Sequence, residues 1–193
     1  MFMLYSLLIG FALGLTLGGR PIALGRLRFV WTPLAIAGLA AQIVLFSPAV
    51  AELIGDAGPP LYVASTIAVV AVVVRNITVA PGLALVALGA IANLLAIVAN
   101  GGYMPVTPEA LAASGRVVSD AYSNSLESAR PALELLVDRF AMPAQIPLAN
   151  VFSIGDVIVG TGIVIVLVSA MRANARPAPP GGPREQGAAG LAG

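Results

Sequence analysis

Five long, largely apolar stretches, residues 2–17, 30–46, 60–74, 79–98 and 151–171, constrain this chain more than any other feature. A helix needs about 20 mostly apolar residues to cross a hydrocarbon layer roughly 30 Å thick. Within that layer every backbone N–H and C=O must be bonded inside the helix, so irregular backbone is excluded from contact with lipid. Hydrophobic residues make up 59% of the 193 and charged residues 10%, against roughly 45–50% apolar in an ordinary soluble domain. Too little polar surface remains to cover a water-soluble particle of this size. The expected fold class is therefore all-α, a polytopic transmembrane helix bundle of five spans. The third stretch, with 15 residues, is the shortest, and it spans fully only if the Arg75 stem extends toward the interface or the bilayer thins locally.

Arginine placement sets the expected threading, because short positively charged loops stay on the cytoplasmic side. Arg20, Arg26 and Arg28 follow the first stretch, Arg75 follows the third, and Arg172, Arg176 and Arg184 follow the fifth. Only Arg116, Arg130 and Arg139 fall on the opposite side, all within the long connection 100–149. The N-terminus is thus expected outside and the C-terminus inside, in a multi-pass protein of a plasma membrane. Tyr5, Tyr62 and Tyr103 then lie at the outer boundary and Trp31 at the inner one, where such rings concentrate. The segment before residue 20 lacks a basic start and a small-residue cleavage site, so it reads as a span, not a cleaved leader. Residues 1–172 form the expected bundle with its outer loop. The tail 173–193, rich in Pro and Gly, has almost nothing to bury and is expected to be disordered.

Side-chain chemistry is restricted. All ten basic residues are arginine, and Lys, His and Cys are absent. Disulfides, zinc or haem sites of ordinary ligand type, thiol or imidazole catalysis, Schiff bases and phosphate-loop lysines are thereby excluded. No catalytic residue, cofactor or metal is expected. A net charge of +1 provides no surface for neutralising a nucleic-acid backbone. The expected partners are the lipid bilayer and either another membrane protein or a second copy.

The connection 100–149 is far longer than the usual loop, and such loops are generally functional or disordered. Thr107, Pro108 and Glu109 supply a cap, a first-turn proline and a first-turn acid, with Gly115 where a short helix would stop. Leu133, Leu136, Val137 and Phe140 recur at helical spacing and predict a second short amphipathic helix over 133–140, capping the bundle or lying on the membrane. The segments "ANGGYMPVTPEAL" (99–111), "LLVDRF" (135–140) and "NVFSIGDVIVGTG" (150–162), after "LGLTLGGR" (13–20), occur in that order. In these segments the chain resembles the small bacterial membrane proteins grouped as domain of unknown function 5317. The resemblance implies a polytopic membrane protein and lends no activity and no catalytic residues. Gly101, Gly102, Met104 and Pro105 are its outer-loop motif.

An ionisable group within a bilayer costs at least about 2.5 kcal/mol and is a functional candidate by default. Asp156 is the acid expected inside the fifth span, roughly 8 Å from its outer end. Asn93 and Asn100 on the fourth stretch and Gln42 on the second are its expected neighbours. One reading makes these residues packing devices, with Asp156 bonded to Asn100, Gln42 or the backbone after Asn100. A second brings Asp156, Asn93, Asn100 and Gln42 into a polar pocket open to the outside, and a third pairs Asp156 with Arg130 or Arg139. Gly10, Gly14 and Gly18 follow Ser6 at a spacing of four, the small-residue pattern that lets helix backbones touch. The expected function is a non-catalytic ligand-binding or partner-binding membrane module. The alternatives are a small transporter or permeation component using Asp156, and an intramembrane lipid-modifying enzyme with Asp156, Asp138 or Glu109 as acid or base.

Overall fold

The computed structural model describes residues 2–115 and 123–173, so the tail expectation falls almost wholly outside the described residues. The described chain is mostly helical: α1 (Phe2–Thr16), α2 (Thr32–Leu45), α3 (Pro48–Ala51), α4 (Gly58–Arg75), α5 (Leu83–Ala99), α6 (Pro108–Ser114) and α7 (Ile154–Arg172). Proline opens the first turn of α2, α3, α4 and α6, where its missing N–H and fixed φ cost nothing. With the tight turn that precedes it, α4 runs over Gly55–Arg75 for 21 residues, and α7 runs for 19; both are long and apolar enough to cross a membrane. The third stretch, expected to be the shortest span, thus belongs to one of the two longest helices, because Gly58 and Pro59 extend it backward. The other apolar helices have 15, 14 and 17 residues.

These five helices stand in a row. Extensive contact runs from α2 to α4, from α4 to α5, from α5 to α7 and from α7 to α1. Consecutive helices do not all pack together: α1 and α2 occupy opposite ends of the row. Their connection, residues 17–31, therefore crosses the whole row at the end carrying Arg20, Arg26, Arg28, Arg75 and Arg172. Its 3₁₀ turn Pro21–Arg26 rests on α7. Arg20 N donates to Met171 O at 2.8 Å, tying its start to the end of α7. Asn76 holds its far end. This residue is 1% exposed; its amide accepts from Val30 N at 2.7 Å and donates to Val30 O at 2.9 Å and Val72 O at 2.7 Å.

The opposite end is covered by residues 100–115 and 123–153. Strand β1 (Met104–Val106) pairs in parallel with β2 (Ser125–Glu127), and β3 (Phe140–Ala141) pairs antiparallel with β4 (Val151–Phe152). Val106, Ala110 and Val151 form a small core with Leu111 and Ala141. A second cluster of Leu45, Tyr62, Ala96, Ile97 and Met104 joins this cap to α2, α4 and α5. Tyr5 Oη donates to Pro147 O at 2.5 Å, and Phe2 stacks on Phe152, bringing α1 under the same cap.

The helix expected from Thr107 forms as α6: Thr107 Oγ1 accepts from Ala110 N at 3.3 Å, and Gly115 ends it at φ 66°. The amphipathic helix expected over 133–140 does not form. Leu133 has φ 54°, Glu134–Leu136 makes one 3₁₀ turn, and Val137 is extended and fully buried. Asp138 N donates to Pro105 O at 3.0 Å and Thr107 N to Asp138 O at 3.1 Å. Eight residues are too few for a helix to be stable by itself, and pairing against β1 and β4 satisfies the same backbone groups.

Replacing Asn76 with Ala removes three hydrogen bonds made by a buried amide, each contributing about 0.5–1.5 kcal/mol. The expected outcome is a lower thermal unfolding midpoint for Asn76→Ala in detergent, with Thr78→Ala, two residues away and exposed, unchanged.

Candidate functional site

The site is built where α7 begins beside α5. Ser153 is the N-cap of α7 and is fully buried. Its Oγ accepts from Asp156 N at 3.0 Å, while Ser153 N donates to Asp156 Oδ2 at 3.1 Å. This is a reciprocal capping box, in which two amides at the helix start receive side-chain partners. Asn93 on α5 completes the network: its Nδ2 donates to Asp156 Oδ1 at 2.8 Å, and its Oδ1 accepts from Ser153 Oγ at 2.9 Å. Both carboxylate oxygens, the hydroxyl and both amide atoms therefore have partners within one closed set.

Asp156 consequently lies in the first turn of α7, not deep within a span, because Val151 and Phe152 belong to β4. The [Ser/Thr]-x-x-[Asp/Glu] pattern of Ser153 and Asp156 is the sequence feature that marks this helix start. Among the described residues no arginine pairs with Asp156, so the alternative partners Arg130 and Arg139 are not used. Tyr62, on α4, is buried where the cap meets the helices, packed in the cluster with Ala96 and Met104.

The four residues expected to converge do not form one hydrogen-bonded cluster. Asn93 and Asp156 are joined directly. Gln42 instead bridges α2 to α4, its Nε2 donating to Ser65 Oγ at 3.2 Å and Thr66 Oγ1 at 3.3 Å. Asn100 fastens the cap to the end of α5: its Nδ2 donates to Ala96 O at 2.8 Å and Ala132 O at 2.9 Å, and its Oδ1 accepts from Ala132 N at 2.9 Å. Asn76 does comparable work at the other end and was not singled out by the sequence; a polar residue directly after Arg75 is its only trace there.

Glycines decide how closely the helices approach. A Cβ on Gly155 would meet Asn93 Oδ1, one on Gly89 would meet the Gly155 carbonyl, and one on Gly162 would lie 2.7 Å from Gly82 O. On the other side of α7, Gly10 meets Val164 and Leu167, and Gly14 meets Met171. Gly18, expected to continue that contact, has nothing near it and lies in the turn at φ 77° after α1 has ended; Gly19 meets Met171 instead. In the outer-loop motif, Gly101 faces open space, Gly102 at φ 93° lies against Pro59, and Met104 and Pro105 are buried.

Among the described residues no group of three or more acids is placed to hold a metal ion. The amide side chains of Gln42, Asn76, Asn93 and Asn100 each join one element to another. Fold and site together define a mostly helical protein whose apolar helices are fastened one to the next beneath a folded cap. The model of a family of unknown function, DUF5317, matches residues 26–168, and the chain belongs to that family. No curated protein and no solved structure matches it.

A double-mutant cycle tests the α5–α7 clasp. Asn93→Ala and Asp156→Ala are each expected to destabilise the folded protein, with a coupling energy of about 1–2 kcal/mol in thermal or denaturant unfolding, the range for residues in one hydrogen-bond network. Strict additivity would show that the two side chains act independently.

Proposed function

We propose that this protein is a multi-pass component of a bacterial plasma membrane that works by association, binding a membrane partner or further copies of itself, and does no chemistry of its own. The observation that carries this reading is the open row. Its end helices α1 and α2 each have one principal helical neighbour, and their remaining surfaces expose large apolar side chains. Leu8 and Ile9 on α1 are 57% and 51% exposed, and Ile36 and Ile43 on α2 are 62% and 74% exposed. Water would not tolerate so much continuous apolar surface; hydrocarbon and other apolar helices would.

In this reading five helices cross, with the N-terminus outside and the C-terminus inside. The arginine distribution supports that threading, and so do the acids: eight of the nine, all except Glu185, lie on the expected outer side. The 14 residues of α2 reach about 21 Å at 1.5 Å each. The bilayer then thins beside α2, or the flanking loops enter the headgroup layer. Transport through Asp156 is less well supported, because that carboxylate is already bonded to Ser153 and Asn93.

The chain contains no cysteine, which suits single-cysteine labelling. In intact cells a membrane-impermeant maleimide is expected to label Leu135→Cys, and to label Ile22→Cys only after permeabilisation. Labelling of both before permeabilisation would overturn the threading. For the association reading, a bifunctional thiol cross-linker acting on Ile43→Cys in native membranes is expected to give a discrete higher-mass species. Recovery of monomer alone would remove that reading.

A further inference from the structure

The end of the row opposite the cap concentrates uncompensated positive charge. Arg20, Arg26, Arg28, Arg75 and Arg172 are all exposed there. The chain holds no Asp or Glu before Glu52 and none between Asp56 and Glu109, and no carboxylate among the described residues pairs with these arginines. The same end also exposes apolar groups. Ile22 is 79% exposed, Phe29 40%, Trp31 52% and Leu34 42%. Trp31, Pro33 and Leu34 line a shallow open groove at the start of α2. Two arginines adjoin that groove through the backbone: Arg28 precedes Trp31 by three residues, and Arg75 precedes Asn76, which is bonded to both backbone groups of Val30.

We propose that this surface binds anionic phospholipid, with Arg28 and Arg75 holding the phosphate and the groove of Trp31, Pro33 and Leu34 receiving the upper acyl chain. The inference rests on the membrane reading above and adds lipid selectivity to it. Guanidinium forks match phosphate oxygens with two parallel hydrogen bonds. Indole rings prefer the headgroup boundary, where one edge is apolar and the other wet. A zwitterionic lipid offers the same acyl chain but cancels the phosphate charge with its ammonium group, so it lacks the net negative charge that these five arginines attract. The Val30–Asn76 pairing fixes the groove relative to Arg75, so the lipid finds a preset surface and not a mobile loop.

Trp31 is the single tryptophan of the chain, which makes its fluorescence a direct reporter. The full-length protein is reconstituted in vesicles containing either brominated phosphatidylcholine or brominated phosphatidylglycerol, whose bromines quench an adjacent indole. An attraction of the size found for arginines at an anionic surface corresponds to roughly a fivefold preference per residue. Half-maximal quenching is therefore expected at a mole fraction of the anionic lipid at least about fivefold lower. The variant carrying Arg28→Gln and Arg75→Gln is expected to lose most of this preference while keeping its quenching by the neutral lipid, which reports an intact, embedded protein. Equal quenching of the native chain by both lipids would overturn the selectivity and leave the membrane reading standing. Absence of quenching by either would overturn both. Loss of the preference on adding millimolar inorganic phosphate at constant ionic strength would show that the surface takes a soluble phosphate and not a lipid.

Discussion

The contact between α5 and α7 is the constraint on which the remaining structure depends. It is a contact of backbone with backbone: Gly82 and Gly89 face the carbonyls of Gly162 and Gly155, leaving no room for a methyl group on the contact face of either helix. Such contacts suit a medium in which helices gain nothing by hiding apolar surface from one another and must rely on close packing and hydrogen bonds. They also fix register, since a shift by one residue would drive Leu83 or Ala90 into the opposing backbone. Asn93 lies one turn beyond Gly89 on the same face, and its two hydrogen bonds to Ser153 and Asp156 lock the register that the glycines permit. α1 then docks against another side of α7 through Gly10 and Gly14.

This register offsets the two helices along their axes. Gly82, just before α5, meets Gly162 and Ile165, yet α7 continues to Arg172. Seven further residues, roughly 10 Å of helix, therefore have no α5 partner at the arginine end. The crossing connection 17–31 occupies that end, with its 3₁₀ turn against α7. At the other end Ala96 and Ile97 project past the start of α7 and are buried by Met104 and Leu136 of the cap. One glycine-set displacement thus accounts both for a folded cap at one end of the row and for an arginine-rich strap at the other.

The helices were legible in the sequence because apolar length and the absence of charge are local properties. The helix after Thr107 was legible for a similar reason, since cap, first-turn proline and terminal glycine all act within one turn. Residues 133–140 misled because eight residues cannot distinguish a helical period from strand pairing, and their partners, Val106 and Phe152, are distant in sequence. Asp156 was placed too deep for a related reason: Val151 and Phe152 are as apolar as any helical residue, although Ser153 and Asp156 carry the capping pattern. The positions of Gln42, Asn76 and Asn100 depend on which helices adjoin. That order, α2–α4–α5–α7–α1, cannot be read from any local pattern, because it separates α1 from α2.

The use made of the polar side chains bears on where recognition takes place. Gln42 joins α2 to α4, Asn93 joins α5 to α7, Asn100 joins α5 to the cap, and Asn76 joins α4 to the strap formed by residues 17–31. Each of these amides is committed to holding two elements together. What remains for recognition is apolar on the flanks and charged at the two ends, with opposite sign: arginines without acids on the strap, and most of the acids around the cap. In the membrane reading proposed above, such an arrangement suits discrimination by charge at the two ends of the row and by shape along its flanks, more directly than catalysis or transport through Asp156.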